Sequence, residues 1–213
     1  MKKNGKRFWM MLLGIALISV AVGCYRLSEF GVDAFTCMNL GISGFLGMSF
    51  GNWQLFVNIV ILIVVFFTMR SGIGLGTIVN MVAVGYIADF ICWIVWDQLA
   101  MTPGLLLRII FLIIGTLFAT LGVAFYIVVD MGIAPYDNVA PIIEKLTRGK
   151  LPFAKARVAT DIICVIIGVG FCLIANDDLW KIVGIGTILN AFLTGPFIQF
   201  FRVHITEPLL NKD

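Results

Sequence analysis

The chain has 213 residues, 61% hydrophobic and 13% charged, with a formal charge of +3 and a mean hydropathy of +1.05. A water-soluble domain cannot cover itself with so few charges, whereas a surface facing lipid hydrocarbon should look like this. The basic residues fall between apolar stretches and form no stripe, so nucleic acid is excluded as a partner and the lipid bilayer is the expected one.

In chain order, Lys2, Lys3, Lys6 and Arg7 precede a first apolar run over 8–28 that ends near Ala-Val-Gly-Cys24. That ending faintly resembles a lipoprotein cleavage site, but the run is longer than the ~7–15 residues of a signal-peptide core, so a retained first helix is expected. Further runs follow at 34–48, 53–69, 72–96, 104–129, 135–147, 157–175 and 181–201. Six of the eight approach the ~20 residues that cross a hydrocarbon core. The runs at 34–48 and 135–147 are shorter and more polar. At ~1.5 Å per residue they reach only about 20 Å, so they either cross with tilt or re-enter.

The second half repeats the first. Sliding the chain by 101 pairs Arg7 with Arg108, Gly14 with Gly115 and Tyr25 with Tyr126, and sets GVDAFT (31–36) on GIAPYD (132–137). A slide of 110 sets GLGTIVN (74–80) on GIGTILN (184–190), with Gly85 on Gly195 and Asp89 on Gln199. The expected fold is an all-α polytopic transmembrane helical bundle of two tandem repeats, 1–103 and 104–213, forming one integral membrane domain. Each repeat holds three long helices and one short or broken one. Duplicated halves are common in transporters, whose sites lie between the repeats.

The bias of lysine and arginine puts both termini in the cytoplasm, together with the loop carrying Lys145, Arg148, Lys150, Lys155 and Arg157 and the tail with Arg202 and Lys212. Crossing short runs would give eight segments and parallel repeats; re-entrant ones would give six crossings and inverted repeats. The charge count does not separate these. Eight segments are favoured because the equivalents Arg7 and Arg108 then share the cytoplasmic side.

Polar side chains at membrane depth are costly and point to a partner or a purpose. Gly132 breaks the preceding helix and Pro135 suits a first helical turn, which places Tyr136, Asp137 and Asn138 at a broken helix. These three are expected to bind substrate; otherwise Asp137 caps its own helix. Asp161 stands one turn past Arg157, with Asn58 as its repeat equivalent, and either pairs with Arg157 or lines the path. Asn80 and Asn190 match across the halves and either line a cavity or tie two helices. Asp89 is expected near the inner boundary; Arg26 and Glu29 should pair or face water outside.

Enzyme signals are missing. The lone histidine, His204, is in the C-terminal stretch, and GIGLG at 72–76 lacks the context of a dinucleotide fingerprint. Cys24, Cys37, Cys92, Cys164 and Cys172 lie mostly in apolar runs without a CxxC spacing, so they read as packing residues. No catalytic residue, metal site or cofactor is expected.

The basic N-terminus, GVDAFT, GIAPYDN and GIGTILNAFLTGP together resemble the YczE-like family of bacterial integral membrane proteins, loosely grouped with YitT-like proteins, over nearly the whole chain. The resemblance implies the bacterial inner membrane and a bundle of short and long helices. It also implies an accessory role, in some members, in making peptide natural products. The expected function is a small-molecule transporter or permease with its site between the repeats. The alternative is a non-transporting scaffold or regulator whose basic loop, Lys145 to Arg157, holds a cytoplasmic enzyme; a membrane enzyme ranks third. A homodimer is compatible with either.

Overall fold

A computed structural model describes residues 3–211. Lys2 and Lys212, counted among the topology-setting cations, lie outside the described residues. The described chain is helical: α1 (Lys3–Ser28), α2 (Ala34–Leu46), α3 (Phe50–Thr68), α4 (Leu75–Trp93), α5 (Leu105–Val128), α6 (Val139–Leu146), α7 (Phe153–Ile174), α8 (Leu179–Ile182), α9 (Ile185–Phe201) and α10 (Glu207–Asn211). Six stretches are long and apolar enough to cross a membrane: α1, α3, α4 with the turn after it, α5, α7, and α8 to α10 taken together. The expected all-α membrane bundle is therefore seen, with α2 and α6 as its short elements.

The centre of the bundle is the pair α1 and α5. A Cβ on Gly14 would meet Gly122 O at 2.7 Å, and one on Gly122 would meet Gly14 O at 2.7 Å, so the two backbones touch. Further along, Gly115 faces the Tyr25 ring and Ala21 O. Rising numbers on α1 thus meet falling numbers on α5, and the helices are antiparallel. Arg108, at the start of α5, accordingly bonds Ser28 O at 2.8 Å and Glu29 O at 2.9 Å, at the end of α1. Arg7 and Arg108 therefore lie at opposite ends of the bundle, and the eight-segment, parallel expectation is corrected.

Two sets of contacts show why the short helices do not cross. The Asp89 carboxylate takes Arg26 Nη1 at 2.6 Å and Gly51 N at 2.7 Å, clamping the end of α1 to the start of α3. The chain between them, including α2, leaves and returns to one face. In the second half, Ile133 N bonds Gly72 O at 3.1 Å and Lys145 Nζ bonds Thr68 O at 2.7 Å, so both ends of the α6 segment sit at the α3–α4 turn. Asp89 is thus beside Arg26, at the end of α1 remote from the N-terminus, which corrects the expectation that Asp89 and the N-terminus share one side.

Thr206 Oγ1 bonds Ala124 O at 3.3 Å, and Leu210 packs on the core around Met10, Met11 and Phe125. Both described ends of the chain therefore share a face, called here the terminal face; the opposite one is the far face.

The junctions before α2 and α6 are built alike. Residues Glu29 (φ 49°) and Gly31 (φ 92°) are left-handed, as are Asp130 (φ 49°) and Gly132 (φ 96°). Gly186 N donates to Phe30 O at 2.7 Å, and Gly76 N donates to Met131 O at 2.8 Å. Each junction thereby satisfies an open N–H at the start of a long helix from the other half. A Cβ on Gly31 would collide with Gly184 N, and one on Gly132 with Gly74 N.

Candidate functional site

The side chains at the two junctions converge. Asp33 caps α2 by accepting from Thr36 N at 3.0 Å, which fixes Phe35 in the first turn. In the second half a 3₁₀ turn, Tyr136–Asn138, precedes α6. Phe35 and Tyr136 stack face to face, ring centroids 4.3 Å apart and 14° from parallel. They form a small core with Cys164, flanked by Val57 and Ile61. Cys164 is near the middle of α7, so the two short helices meet, N-terminal ends together, near the mid-height of that helix.

On the terminal side of this stack lies a charged cluster. Tyr136 OH donates to Asp161 Oδ1 at 2.6 Å. Arg157 Nη1 pairs with Asp137 Oδ1 at 2.8 Å, and its Nε with Asp161 Oδ2 at 3.3 Å. The guanidinium also lies 4.7 Å from the Tyr136 ring centroid. One turn of α7 presents Arg157 and Asp161 on the same face, so the pairing is a direct product of their spacing. These side chains are 36–43% exposed. Asp137 does not cap its helix; its carboxylate goes to Arg157 instead.

The remaining expected site residues divide. Asn138 is fully buried, turned toward Ala134 O (3.1 Å) and packed on Gly72, away from the charges. Asn58 is buried on α3, between the residues Val57 and Ile61 that flank the stack. Asn190 accepts from Tyr25 OH at 2.7 Å, which ties α9 to α1. Asn80 is buried on α4 with no bond of this kind among the described residues. Tyr136, Asp137 and Asp161 are therefore brought together, and Arg157 and Phe35 complete the group.

A cavity of about 640 Å³ opens on the far face, lined by Arg26, Glu29, Ser43, Asp89, Asp177 and Lys181 among others. Its charged lining is partly spent on itself, through Arg26–Asp89 at 2.6 Å and Lys181–Glu29 at 3.7 Å. Sequence reasoning gave Arg26, Glu29 and Asp89 only boundary roles and passed over Asp177 and Lys181. No single segment carries the cavity's pattern, since its walls come from both halves. Its floor includes Gly41 and Cys172. Between that floor and the Tyr136 cluster α2 crosses α7 in close backbone contact, Gly41 against Gly168 O. Along α7, Cys164 and Cys172 are separated by about 12 Å of rise. A part-exposed cluster on one side and a cavity on the other are thus divided by one tight helix crossing and one aromatic stack.

A family model described as "Family of unknown function (DUF6198)" matches residues 5–203. The chain is 25% identical over 203 residues to the "Uncharacterized protein YyaS" of Bacillus subtilis, covering 94% of each. It is 26% identical over 197 residues to an "Uncharacterized protein" of Haemophilus influenzae, covering 92% of this chain and 83% of that one. To the "Uncharacterized membrane protein YczE" of B. subtilis it is 24% identical over 170 residues, covering 80% and 73%. No solved structure matches the chain.

Proposed function

The chain belongs to the DUF6198 family, and on that footing we propose that it is a small-molecule transporter or permease of the bacterial inner membrane. In this reading its halves are inverted copies and its path runs between them. The observation that carries the proposal is the meeting of two half-helices at Phe35 and Tyr136, with the ion-paired cluster on one side and the far-face cavity on the other. Broken helices near the membrane interior are the usual construction of a carrier's site, because irregular backbone is tolerated there only inside protein or beside water. Asp137, Tyr136 and Asp161 contact the solute, with Arg157 as the fixed charge that they share. The matching junctions at Gly31 and Gly132 support the inverted-copy reading.

The scaffold alternative loses part of its surface. Of the five basic loop residues, Lys145 is bound to Thr68 O and Arg157 is held by two carboxylates. Arg148, Lys150 and Lys155 remain exposed. We read the protein as a carrier rather than a catalyst.

The test is a thermal-shift screen of the purified protein in detergent against a metabolite library, repeated with Asp137→Asn. A ligand that binds the folded state raises apparent stability by mass action. The expected result is a hit that Asp137→Asn weakens at least about tenfold, a loss of roughly 1.4 kcal/mol. A hit unaffected by that change overturns the site, and a folded protein without hits favours the scaffold. Orientation is tested by single cysteines at Ser71 and Ala100 in whole cells. With cytoplasmic termini, an impermeant thiol reagent should label Ala100→Cys and spare Ser71→Cys. The reverse pattern overturns the orientation.

A further inference from the structure

The halves differ most at one seam. In the first half α3 closes on α4: a Cβ on Gly85 would lie 2.8 Å from Gly51 Cα and 2.9 Å from Gln54 Oε1. Asp89 then locks the seam through Gly51 N, and Tyr86 OH donates to Asn52 Oδ1 at 2.9 Å. The corresponding helices of the second half are α7 and α9, with Ala154 for Gly51, Lys155 for Asn52, Gly195 for Gly85, Pro196 for Tyr86 and Gln199 for Asp89. Among the described residues α7 and α9 make no comparable contact. Gly195 has open space around it. Ala154, Lys155, Gly195 and Gln199 are exposed, where Gly51 and Gly85 are buried. A groove of about 410 Å³ runs over Ala154, Lys155, Val158, Ala159 and Ile162, on the part of α7 nearest the terminal face.

The vestibules differ in the opposite sense. The far-face cavity is open beside the closed α3–α4 seam. On the terminal face the corresponding elements are tied together by Lys145 to Thr68 O and by Arg157 to Asp137. One half thus combines an open vestibule with a shut seam, and the other a tied vestibule with an open seam.

We propose that these are two positions of one device, and that the chain has a second state in which α7 closes on α9 while α3 parts from α4. The Arg157–Asp137 pair then opens the terminal face as the far-face cavity closes. The inference rests on the inverted-copy carrier reading above and deepens it. The second copy has the small residues that such closure needs. In the closed seam a Cβ on Gly51 would stand 3.1 Å from Gly85 C, so Ala154 can approach Gly195 with an adjustment of a few tenths of an ångström. The lock is weaker in the second copy, since Gln199 carries no charge. The structure's present state is accordingly the one held by Asp89.

Equivalent cysteine pairs test this in membranes, in a chain whose five buried cysteines are replaced by alanine. Asn52→Cys with Tyr86→Cys reports the first seam, and Lys155→Cys with Pro196→Cys the second. A short bismaleimide links either pair, and mass spectrometry separates links within one chain from links between chains. Asp89→Asn, which removes the lock, is then added to both. The expected result is reciprocal: the 52–86 yield falls and the 155–196 yield within one chain rises several-fold. No 155–196 link while 52–86 forms, links only between chains, or yields that fail to move oppositely each overturn the proposal. The first result makes the open seam a static face toward lipid, and the second makes it an interface between copies. A chain that links reciprocally yet binds nothing in the ligand screen keeps the movement and loses the carrier reading. One that binds a ligand without reciprocal linking does the reverse.

Discussion

The junction before α2 and the junction before α6 share a backbone and differ in nearly every side chain that could do chemistry. Both turn through a left-handed residue and a left-handed glycine, and both carry a carbonyl to the first turn of a long helix from the opposite half. In the first, Asp33 is spent on capping, and Phe35 and Thr36 stand in the first turn of α2. In the second, Tyr136 and Asp137 engage Asp161 and Arg157. The equivalents of those last two in α3 are Asn58 and Gln54, both buried and uncharged. The junction backbones are therefore alike, while the cluster of Tyr136, Asp137, Arg157 and Asp161 stands beside the second. Backbone geometry answers to the packing of a long helix on each junction, which leaves the side chains there free to differ.

The sharpest way to break that comparison is to strike both junctions with the same substitution. Gly31→Ala and Gly132→Ala each force a Cβ into left-handed backbone, at about 1–2 kcal/mol, and against the main chain of the facing helix, at about 1–3 kcal/mol more. Each should lower the thermal midpoint in detergent by a similar, large amount, or prevent recovery of folded protein. A junction that tolerated alanine while its counterpart did not would show that the two are not equivalent devices.

Much of this was legible in advance, and the failures have a common cause. Hydropathy marks six long segments because lipid burial is a property of each segment alone. The glycine breaks at Gly31 and Gly132 are equally local. Direction and re-entry are not: they depend on Asp89 holding Arg26 and Gly51 together, a contact between three separate segments. Equating Arg7 with Arg108 pointed to parallel halves, because an inverted copy and a parallel copy have the same sequence. Of the candidate site residues, Tyr136, Asp137 and Asp161 stand out in the sequence as polar groups where lipid penalises them. Phe35 was passed over because an aromatic in an apolar run carries no signal until Tyr136 is seen to stack on it. Arg157 was counted for topology and as a partner of Asp161, and its tie to Asp137 exists only in three dimensions. The far-face cavity was illegible for the same reason as the re-entry.

A finer comparison is offered by Tyr25 and Tyr126, equivalent residues that are both 2% exposed. Tyr25 OH donates to Asn190 Oδ1 at 2.7 Å, whereas Tyr126 OH is buried with no hydrogen-bond partner among the described residues. Removing the first hydroxyl breaks a bond and leaves the Asn190 oxygen unpaired; removing the second relieves an unsatisfied group. Tyr25→Phe should therefore destabilise the protein by about 1 kcal/mol and Tyr126→Phe by about zero, with a slight gain permitted. Thermal unfolding of both variants in one detergent reads the difference, a shift of a few degrees. Equal losses would mean that Tyr126 OH has a partner in the detergent-solubilised protein. Because Asn80 is the equivalent of Asn190, and its helix already packs on the Tyr126 ring at Gly76, that partner would be sought there first.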